Sequence, residues 1–433
     1  MIRRDKYLQQ MINAKHNGFP KVITGIRRCG KSYMLKEIFR RHLLESGVPQ
    51  ENIIILELDD VRNSKYRDPI VLSDYIIDRC KGIDECYVFL DEIQSVTTII
   101  NPVFTDGKHR IASKDDEAVI SFVDVVLGLS REPNIDLYVT GSNSKMLSSD
   151  VVTQFRDKAT EIHISPLTFS EYYEYVKTDK QEALYEYMLH GGMPLAVLKN
   201  QADKENYLKE LFRTTYFKDI IERNKIKKSG ALDELCTILS TCTGELLNAE
   251  KIANTFVSQR KEKIDKSTVS DYIDYFIDAF IISEAKRYDL KGRKIINSTR
   301  KYYFADTGLR NARLDFMYSD EGQILENIIY NELIHNGYSV NVGTFDAVEK
   351  DNAGSSIRKN YEVDFMAVKD GETMYIQVTD NLNSESTAKR EIRPFILLND
   401  QIKKIIVVNK PIKAMKEQNG FTIVGIVDFL LSL

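Results

Sequence analysis

Hydrophobic positions in the first third of the chain alternate between short β-rich runs and one helical pattern. Four runs are largely apolar, which is typical of buried strands in a parallel sheet. We predict strands at Lys21–Thr24, Asn52–Leu58, Tyr87–Leu90 and Ile135–Thr140. Between the first two, apolar residues recur at helical spacing and predict an amphipathic helix over Ser32–Leu44. Strands separated by helices predict an α/β domain built on a parallel sheet.

The β signal fades after about residue 170. Helical patterns cover 170–228, interrupted by Gly191-Gly192-Met193-Pro194, and continue over 229–285. Short strands follow near 285–305, on either side of a Lys291-Gly292 turn. Helices followed by a β-hairpin indicate a winged helix-turn-helix.

The last 120 residues mix both periodicities again. A helix is predicted near Ile324–Asn336. Strands are predicted at Tyr361–Ala367, Met374–Val378, Ile405–Val408 and Thr422–Val424. The polar stretch Thr105–Ala118 in the first third reads as a long loop or insertion.

The composition indicates a globular protein of two to four domains. The chain has 433 residues, of which 43% are hydrophobic and 29% charged, and it carries a net charge of −4. These values exclude collagen-like, mucin-like and wholly disordered chains. The charge is uneven, because Lys251–Lys301 contains 12 Lys or Arg and 7 Asp or Glu, giving +5 against −9 elsewhere. A local nucleic-acid surface therefore stays possible in a near-neutral chain.

The N-terminus and the cysteines favour a cytoplasmic protein. The first ten residues are charged and lack the apolar core of a secretory signal. No apolar run approaches the roughly 20 residues that span a bilayer, so we expect no membrane span. The five cysteines, which are few for the length, suggest reduced thiols and lack zinc-knuckle spacing. They are Cys29, Cys80, Cys86, Cys236 and Cys242.

The segment Gly25–Ser32 fits the phosphate-loop pattern G-x-x-x-x-G-K-[ST]. Glycines let backbone N–H groups turn inward around phosphates, and the following helix points its positive end at them. Lys31 is expected to reach the β- and γ-phosphates, and the Ser32 hydroxyl to bind Mg²⁺. The predicted cofactors are ATP and Mg²⁺. The predicted nucleotide-binding positions are Gly25, Ile26, Arg27, Arg28, Cys29, Gly30, Lys31, Ser32 and Tyr33.

Two acidic residues follow the buried strand Tyr87–Leu90. Asp91 emerges at the carboxyl end of that strand, where ligands bind in open α/β sheets, and is predicted to hold Mg²⁺. Glu92 is predicted to orient and deprotonate the attacking water, which favours hydrolysis over simple binding. After the strand Ile135–Thr140, Ser142 and Asn143 are candidates to contact the γ-phosphate, or they form only a polar turn.

These motifs together resemble the AAA+ ATPases. More closely, the chain resembles a prokaryotic AAA+/STAND-like group in which the ATPase precedes a C-terminal domain of unknown function. The matching stretches are ITGIRRCGKS, VFLDEIQ, TGSNSKML, SPLTFSEY, HGGMPLAV, TTYFKDIIER, RKYYFADTGLRN and YEVDFMAV…YIQVTD. The resemblance implies a P-loop ATPase domain (1–170), a helical lid (171–228), a winged helix (229–310) and a degenerate restriction-nuclease-like domain (311–433).

The resemblance also implies roles for single residues. Asn143, or its neighbour Ser142, takes the place of the sensor residue. Pro194, in Gly192-Met193-Pro194, resembles the element that closes the lid over the nucleotide, unless it only breaks a helix. Arg156 is the candidate arginine finger or sensor arginine, although the glycine that usually precedes it is missing; the alternative is a surface salt bridge. A finger supplied by a neighbouring subunit would imply a homo-oligomer.

The C-terminal segment resembles the PD-(D/E)xK nuclease core. Glu326 and Asp364 take its first two acidic positions, but Gln377 and Thr379 stand where the family has an acid and a lysine. Gln is a weak metal ligand and Thr carries no charge, so nuclease activity is not expected. A fold retained for binding is the favoured interpretation.

Two functions remain open on sequence grounds. The first is a Mg²⁺-dependent ATPase that couples nucleotide binding and hydrolysis to rearrangement of lid, winged helix and C-terminal module. The second is a slowly hydrolysing, nucleotide-gated module that binds DNA or a protein. The basic winged-helix segment could contact DNA phosphates, or it could serve only as part of the lid.

Overall fold

The computed structural model describes most of the chain. The described residues are 2–113, 115–141, 158–227, 229–260, 264–317, 320–350, 356–380, 382, 385–416 and 420–433, with backbone alone at 257–260 and 385–388. Their contacts form two compact units, the first Arg3–Ser165 and the second Pro166–Leu433 together with the extreme N-terminus. No helix within these described ranges is long and apolar enough to cross a membrane.

A five-stranded parallel sheet organises the first unit, in the order β2-β3-β7-β1-β8. The strands of this unit are β1 (Lys21–Thr24), β2 (Ile53–Glu57), β3 (Cys86–Asp91), β4 (Ile99–Ile100), β5 (Arg110–Ile111), β6 (Val119–Ile120), β7 (Ile135–Thr140) and β8 (Thr160–His163). The four predicted strands and the parallel sheet are confirmed. The edge strand β8 was not predicted, because only Ile162 and Ile164 mark it as apolar.

Helices cover the sheet of the first unit. They are α1 (Asp5–Ala14), α2 (Lys31–Tyr33), α3 (Arg40–Glu45), α4 (Pro69–Cys80) and α5 (Phe122–Leu129). A π-helical segment, Met34–Phe39, joins α2 to α3, so the predicted helix is continuous over this region. Shorter 3₁₀ turns lie at Gln50–Asn52, Val61–Arg67, Ile93–Ser95 and Pro102–Phe104. Asp68 starts α4 by accepting hydrogen bonds from the N–H groups of Ile70 and Val71 at 3.0 and 3.1 Å.

The predicted loop at Thr105–Ala118 is partly ordered into strand. Strand β5 falls inside it and pairs with β4, which also pairs with β6, in a small antiparallel sheet. This small sheet was not predicted, because each of its strands is only two residues long and the stretch around β5 is polar.

The expectation that all five cysteines are reduced thiols is wrong for one pair. Cys80 and Cys86 form a disulfide, with Cα atoms 5.9 Å apart, within the range that a disulfide can bridge. Cys80 ends α4 and Cys86 begins β3, so the tight connection between them brings the two sulfurs together. Cys29, Cys236 and Cys242 are free thiols.

The second unit begins with helices, as predicted. Its described helices are α6 (Phe169–Val176), α7 (Lys180–His190), α8 (Pro194–Val197), α9 (Gln201–Glu210), α10 (Lys218–Arg223), α11 (Ser229–Thr241), α12 (Ala249–Arg260), α13 (Lys266–Asp278), α14 (Thr307–Arg313), α15 (Glu321–His335), α16 (Glu385–Leu398) and α17 (Ile426–Ser432). A π-helical segment, Leu211–Phe217, joins α9 to α10. Helix α6 starts with a capping box in which Thr168 and Glu171 exchange hydrogen bonds.

A single eight-stranded sheet spans most of the second unit, in the order β10-β9-β11-β12-β13-β14-β16-β15. Its strands are β9 (Ile282–Asp289), β10 (Lys294–Phe304), β11 (Ser339–Lys350), β12 (Ser356–Lys369), β13 (Glu372–Thr379), β14 (Lys403–Val408), β15 (Met415–Lys416) and β16 (Thr422–Gly425). Strand β9 pairs in parallel with β11, which joins the predicted wing to the strands of the predicted C-terminal domain. The division of this unit into three domains stays a prediction.

Candidate functional site

The phosphate loop leaves the end of β1 and turns sharply. Gly25, Arg28 and Gly30 have φ angles of 134°, 64° and 101°, positive values that are typical of loops whose backbone N–H groups converge on an anion. Gly25 cannot be replaced without strain, because a Cβ there would run into the carbonyl oxygen of Ile164. Helix α2 then begins at Lys31, so the predicted loop-to-helix geometry is present.

Lys31 lies against the loop that precedes it. Its ammonium donates to the carbonyl oxygens of Gly25 at 2.9 Å and Ile26 at 3.0 Å, and the residue is buried. The loop is anchored from behind, since the Cys29 thiol donates to the carbonyl oxygen of Ile164 at 3.1 Å. Arg4 donates to the carbonyl oxygen of Cys29 at 3.5 Å, an anchor that sequence reasoning missed.

Asp91 is the centre of the acidic side of the site. The Ser32 hydroxyl donates to its Oδ1 at 2.8 Å, so the structure brings the two predicted metal ligands together. The Thr140 hydroxyl donates to the same oxygen. Strand β7 lies between β1 and β3, and it is the end of this intervening strand that supplies Thr140.

Lys36 holds the other oxygen of Asp91. Its ammonium lies 3.0 Å from Asp91 Oδ2 and 3.0 Å from Glu57 Oε1. Partial burial disfavours the charge, but hydrogen bonds from Lys36 to Glu57 and Asp91 outweigh it and raise the pKa of Lys36. Lys36 and Thr140 were missed from the sequence, although Thr140 closes a buried strand just as Asp91 does.

Glu92 has a strained backbone next to Asp91. Its φ of 54° is left-handed, and its N–H donates to the Thr140 hydroxyl oxygen at 3.1 Å. The side-chain amide of Gln94 donates to the Glu92 carboxylate. Thr140 therefore contacts both predicted acidic residues, one through its hydroxyl hydrogen and the other through its oxygen.

His163, at the end of β8, is a further group near the loop. Its Nδ1 lies 3.0 Å from the hydroxyl of Thr24, the last residue of β1. His163 is exposed at the end of its strand. Partial desolvation by the surrounding protein, followed by the charge of Lys31, lowers the pKa of its imidazole. The imidazole is therefore neutral near pH 7.

Three of the predicted site residues cannot be assigned a position. Ser142, Asn143 and Arg156 lie outside the described residues. Pro194 is described, as the first residue of α8, in the second unit.

The Gly192-Met193-Pro194 element packs against Asp306. The N–H of Gly192 donates to Asp306 Oδ2 at 2.6 Å, and the N–H of Leu309 donates to Oδ1 at 2.9 Å. Burial raises the pKa of Asp306 to about 6, against the lowering effect of these backbone donors. Asp306 belongs to the FADTG stretch that the sequence analysis singled out, but its contact with Gly192 was not predicted. The nucleotide-contacting role of Pro194 stays a prediction.

The charges of the predicted winged helix separate onto two surfaces. Helix α13, the predicted recognition helix, exposes Asp271, Asp274 and Asp278. Partial burial and the neighbouring aspartates raise the pKa of Asp274 and Asp278. Exposed cations cluster instead at the β9–β10 turn, at Lys291, Arg293 and Lys294, while Lys266 is exposed at the start of α13. The net charge of +5 therefore does not describe the helix that was expected to enter a groove.

The structure brings together only part of the predicted nuclease-like set. Glu326 of α15 and Asp364 of β12 lie in one cluster, about the ammonium of Lys301. The amide of Gln377 instead donates to Glu391 Oε2 at 2.9 Å. Lys301 was missed, although it stands in the quoted RKYYFADTGLRN stretch.

Comparisons with known proteins agree with this geometry. A family model for an AAA domain matches residues 17–173, and a model for a domain of unknown function (DUF8612) matches residues 181–320. An uncharacterized protein of Haemophilus influenzae is 31% identical over 437 residues, covering 100% of this chain and 99% of the relative. One of Methanocaldococcus jannaschii is 28% identical over 392 residues, covering 87% and 77%.

Solved structures show only distant likeness. The Orc1 protein of Aeropyrum pernix in complex with DNA is 12% identical, covering 72% of this chain and 92% of that chain, with a TM-score of 0.31. AMPPCP-bound DnaA from Aquifex aeolicus is 15% identical, covering 63% and 88%, also with a TM-score of 0.31. At such TM-scores the likeness adds nothing to the sheet order and the motifs.

The parallel sheet, the phosphate loop and the AAA-domain match define an ATP-binding P-loop ATPase of the AAA+ class. Its second unit contains the large mixed sheet that follows the helical region. The chain belongs to the same family as the Haemophilus influenzae protein, which it matches from end to end.

Proposed function

We propose that the first unit binds ATP with Mg²⁺ and hydrolyses it, and that this cycle drives rearrangement of the lid, winged helix and C-terminal module. The observation that carries the proposal is the meeting of Ser32 with Asp91 at 2.8 Å, directly after the turned loop. A loop that only formed a glycine-rich turn would not need a buried carboxylate beside its serine.

Lys31 changes partners when nucleotide binds. Its ammonium is held by two loop carbonyl oxygens, which are weaker partners than the anionic oxygens of a phosphate. The inward-turned N–H groups of the loop and the start of α2 provide further donors for the phosphates.

Ser32 and Asp91 suit magnesium because both present oxygen atoms and together occupy few of its six coordination positions. Mg²⁺ usually keeps several waters and takes the rest of its ligands from substrate phosphates. Bound there, it would neutralise charge that develops on the transferring phosphoryl group. Asp91 is oriented for this task by Thr140 at Oδ1 and Lys36 at Oδ2.

Glu92 acts as the base that orients and deprotonates the attacking water. The Thr140 hydroxyl fixes its backbone, and the amide of Gln94 contacts its carboxylate. In the active geometry the Glu92 carboxylate must contact the attacking water in place of the Gln94 amide. Gln94 therefore keeps Glu92 in an inactive orientation until then.

The test separates binding from turnover. Lys31→Ala should abolish binding of a fluorescent ATP analogue, whereas Glu92→Gln should preserve binding and stop phosphate release. The matched controls are Lys81→Ala and Glu37→Gln, which change exposed residues of the same types. Normal phosphate release from Glu92→Gln would remove Glu92 as the base, and unchanged binding by Lys31→Ala would contradict the nucleotide site.

The second candidate function is a nucleotide-gated module that binds DNA and hydrolyses ATP very slowly. The exposed cations Lys291, Arg293 and Lys294 at the β9–β10 turn support it. The acidic face of α13 favours phosphate contacts by the hairpin over insertion of the helix into a groove. An ATPase assay with and without duplex DNA, alongside a size measurement with and without ATP, discriminates the two functions and tests for a homo-oligomer.

We also propose a cytoplasmic location, on the sequence grounds given above. The disulfide Cys80–Cys86 is unusual for that compartment, where thiols are kept reduced. Counting free thiols in protein taken directly from cells therefore tests the location together with the disulfide.

A further inference from the structure

A buried lysine lies among three carboxylates in the second unit. The ammonium of Lys301 is 2.9 Å from Glu326 Oε1, 2.8 Å from Glu362 Oε1 and 3.9 Å from Asp364 Oδ1. Only 4% of the Lys301 side chain is exposed. The group joins three elements, because Lys301 comes from β10, Glu326 from α15, and Glu362 with Asp364 from β12.

Carboxylates that converge in this way need a cation or a bound proton between them, because like charges close together repel strongly when water is excluded. In nucleases with the resembling acidic pattern the cation is a divalent metal held by carboxylates. Here the lysine ammonium takes the central position, within hydrogen-bond distance of Glu326 and Glu362 and farther from Asp364.

We propose that Lys301 is the built-in cation of this carboxylate site, and that it replaces a divalent metal and closes the site to metal ions. The second unit then holds a cluster of Lys301, Glu326, Glu362 and Asp364, which we call the ionic lock, in place of a hydrolytic centre. The inference does not rest on the proposed ATPase function, since the cluster lies wholly within the second unit.

The surrounding contacts support a closed site. The Tyr303 hydroxyl donates to Glu326 Oε1 at 2.6 Å, and the N–H of Val378 donates to Asp364 Oδ2 at 2.8 Å. Gly244 packs beside the Glu326 carboxylate, where an added Cβ would come within 3.3 Å. The lysine or a neutral donor thus already engages Glu326 Oε1, Glu362 Oε1 and both oxygens of Asp364.

The residues expected to complete a metal centre do not fit one. Gln377 pairs with Glu391 through its amide. Thr379 offers no positive charge to a phosphodiester. Among the described residues no group of three or more His, Cys, Asp or Glu side chains is placed to hold a metal ion, so the three carboxylates would have to close in on an ion that took the place of the lysine. The lock has a structural consequence, because it fastens β10, and with it the β9–β10 hairpin, to α15 and β12.

Manganese binding tests the proposal. Mn²⁺ uptake, followed by electron paramagnetic resonance without nucleotide, should be the same for the wild type and for Asp364→Asn. Lys301→Met should bind one additional Mn²⁺, at least about tenfold more tightly than any weak site of the wild type, because the freed carboxylates suit a hard divalent cation. Lys301→Arg keeps the charge and should bind no additional ion, and Lys294→Met on the same strand is the matched control.

Two results would overturn the proposal. One is stoichiometric Mn²⁺ binding by the wild type that Asp364→Asn abolishes, with or without plasmid nicking. The other is a Lys301→Met protein with native circular dichroism that takes up no additional Mn²⁺. If Lys301→Met does not fold, the comparison of the wild type with Asp364→Asn and with Glu362→Gln still decides, since equal Mn²⁺ binding is expected for all three.

Discussion

The Thr140 hydroxyl joins the two acidic residues of the proposed active site. It donates to Asp91 Oδ1 and accepts from the N–H of Glu92 at 3.1 Å, and Thr140 is fully buried. Thr140→Val keeps the shape of the side chain and removes both hydrogen bonds. Thr140→Ser removes only a methyl group and keeps the hydroxyl, which makes it the matched control.

The size of the effect follows from the charged partner. A hydrogen bond to an ionised group contributes about 1.5–3 kcal/mol, and Thr140→Val also leaves the Glu92 N–H without that acceptor. If this energy is lost in the transition state, kcat falls about 10- to 150-fold, since 1.36 kcal/mol is a factor of ten. KM for ATP should change little, because the loop and Lys31 contribute most of the phosphate binding.

The assay is steady-state phosphate release for the wild type, Thr140→Val and Thr140→Ser, with urea unfolding of each to separate activity from stability. Thr140→Ser should keep kcat within about threefold of the wild type, because its hydroxyl can still make both bonds. Wild-type kcat in Thr140→Val would contradict this role of the Thr140 hydroxyl, and so would an equal loss of activity in the serine and valine variants while both remain folded.

Three further predictions concern other parts of the chain. Asp136→Ala leaves the fully buried Lys21 ammonium without its carboxylate and should lower the free energy of unfolding, measured in urea, by about 3–5 kcal/mol. Lys21→Met combined with Asp136→Asn should lower it clearly less, and an equal decrease would contradict the ion pair. Alkylation of denatured, unreduced protein should modify three of the five cysteines, and all five after reduction; five modified thiols before reduction would exclude the disulfide. The double substitution Cys80→Ser with Cys86→Ser should lower the free energy of unfolding by about 2 kcal/mol. If the hairpin binds DNA, Arg293→Glu with Lys294→Glu should reduce the slope of log affinity against log salt by about 2, while salt-independent binding by the wild type would rule DNA out.

Local sequence patterns were sufficient for four of the five strands of the first unit's parallel sheet. Strands β1, β2, β3 and β7 are buried runs bounded by turns, and such runs identify themselves without tertiary information. Strand β11 was missed because its hydrophobic positions are broken by Gly343 and Asp346, and its partners β9 and β12 come from both sides along the chain. The joining of the predicted wing to the C-terminal strands depends on that pairing, so it was invisible as well.

The candidate site likewise contains residues that the sequence predicts and residues that it does not. The loop follows a fixed spacing and Asp91 ends a buried strand, so these residues could be named in advance. Thr140, Lys36 and Lys301 act through partners 49, 55 and 25 positions away in sequence, at Asp91 for the first two and at Glu326 for the third. No spacing rule connects such pairs. Their contacts depend on strand order and on the packing of helices against the sheets.

Strand order also places Thr140 between the phosphate loop and the acidic pair Asp91 and Glu92. Because β7 lies between β1 and β3, the end of β7 is the nearest strand terminus to both the loop and Asp91. Thr140 is the last residue of β7, and the chain continues from it directly into the segment that contains Asn143 and Arg156. Thr140 is hydrogen-bonded to both Asp91 and Glu92, so a change at either residue during the proposed hydrolysis would act directly on Thr140. We accordingly expect Thr140→Val to weaken any dependence of DNA or partner binding on nucleotide, in addition to slowing turnover.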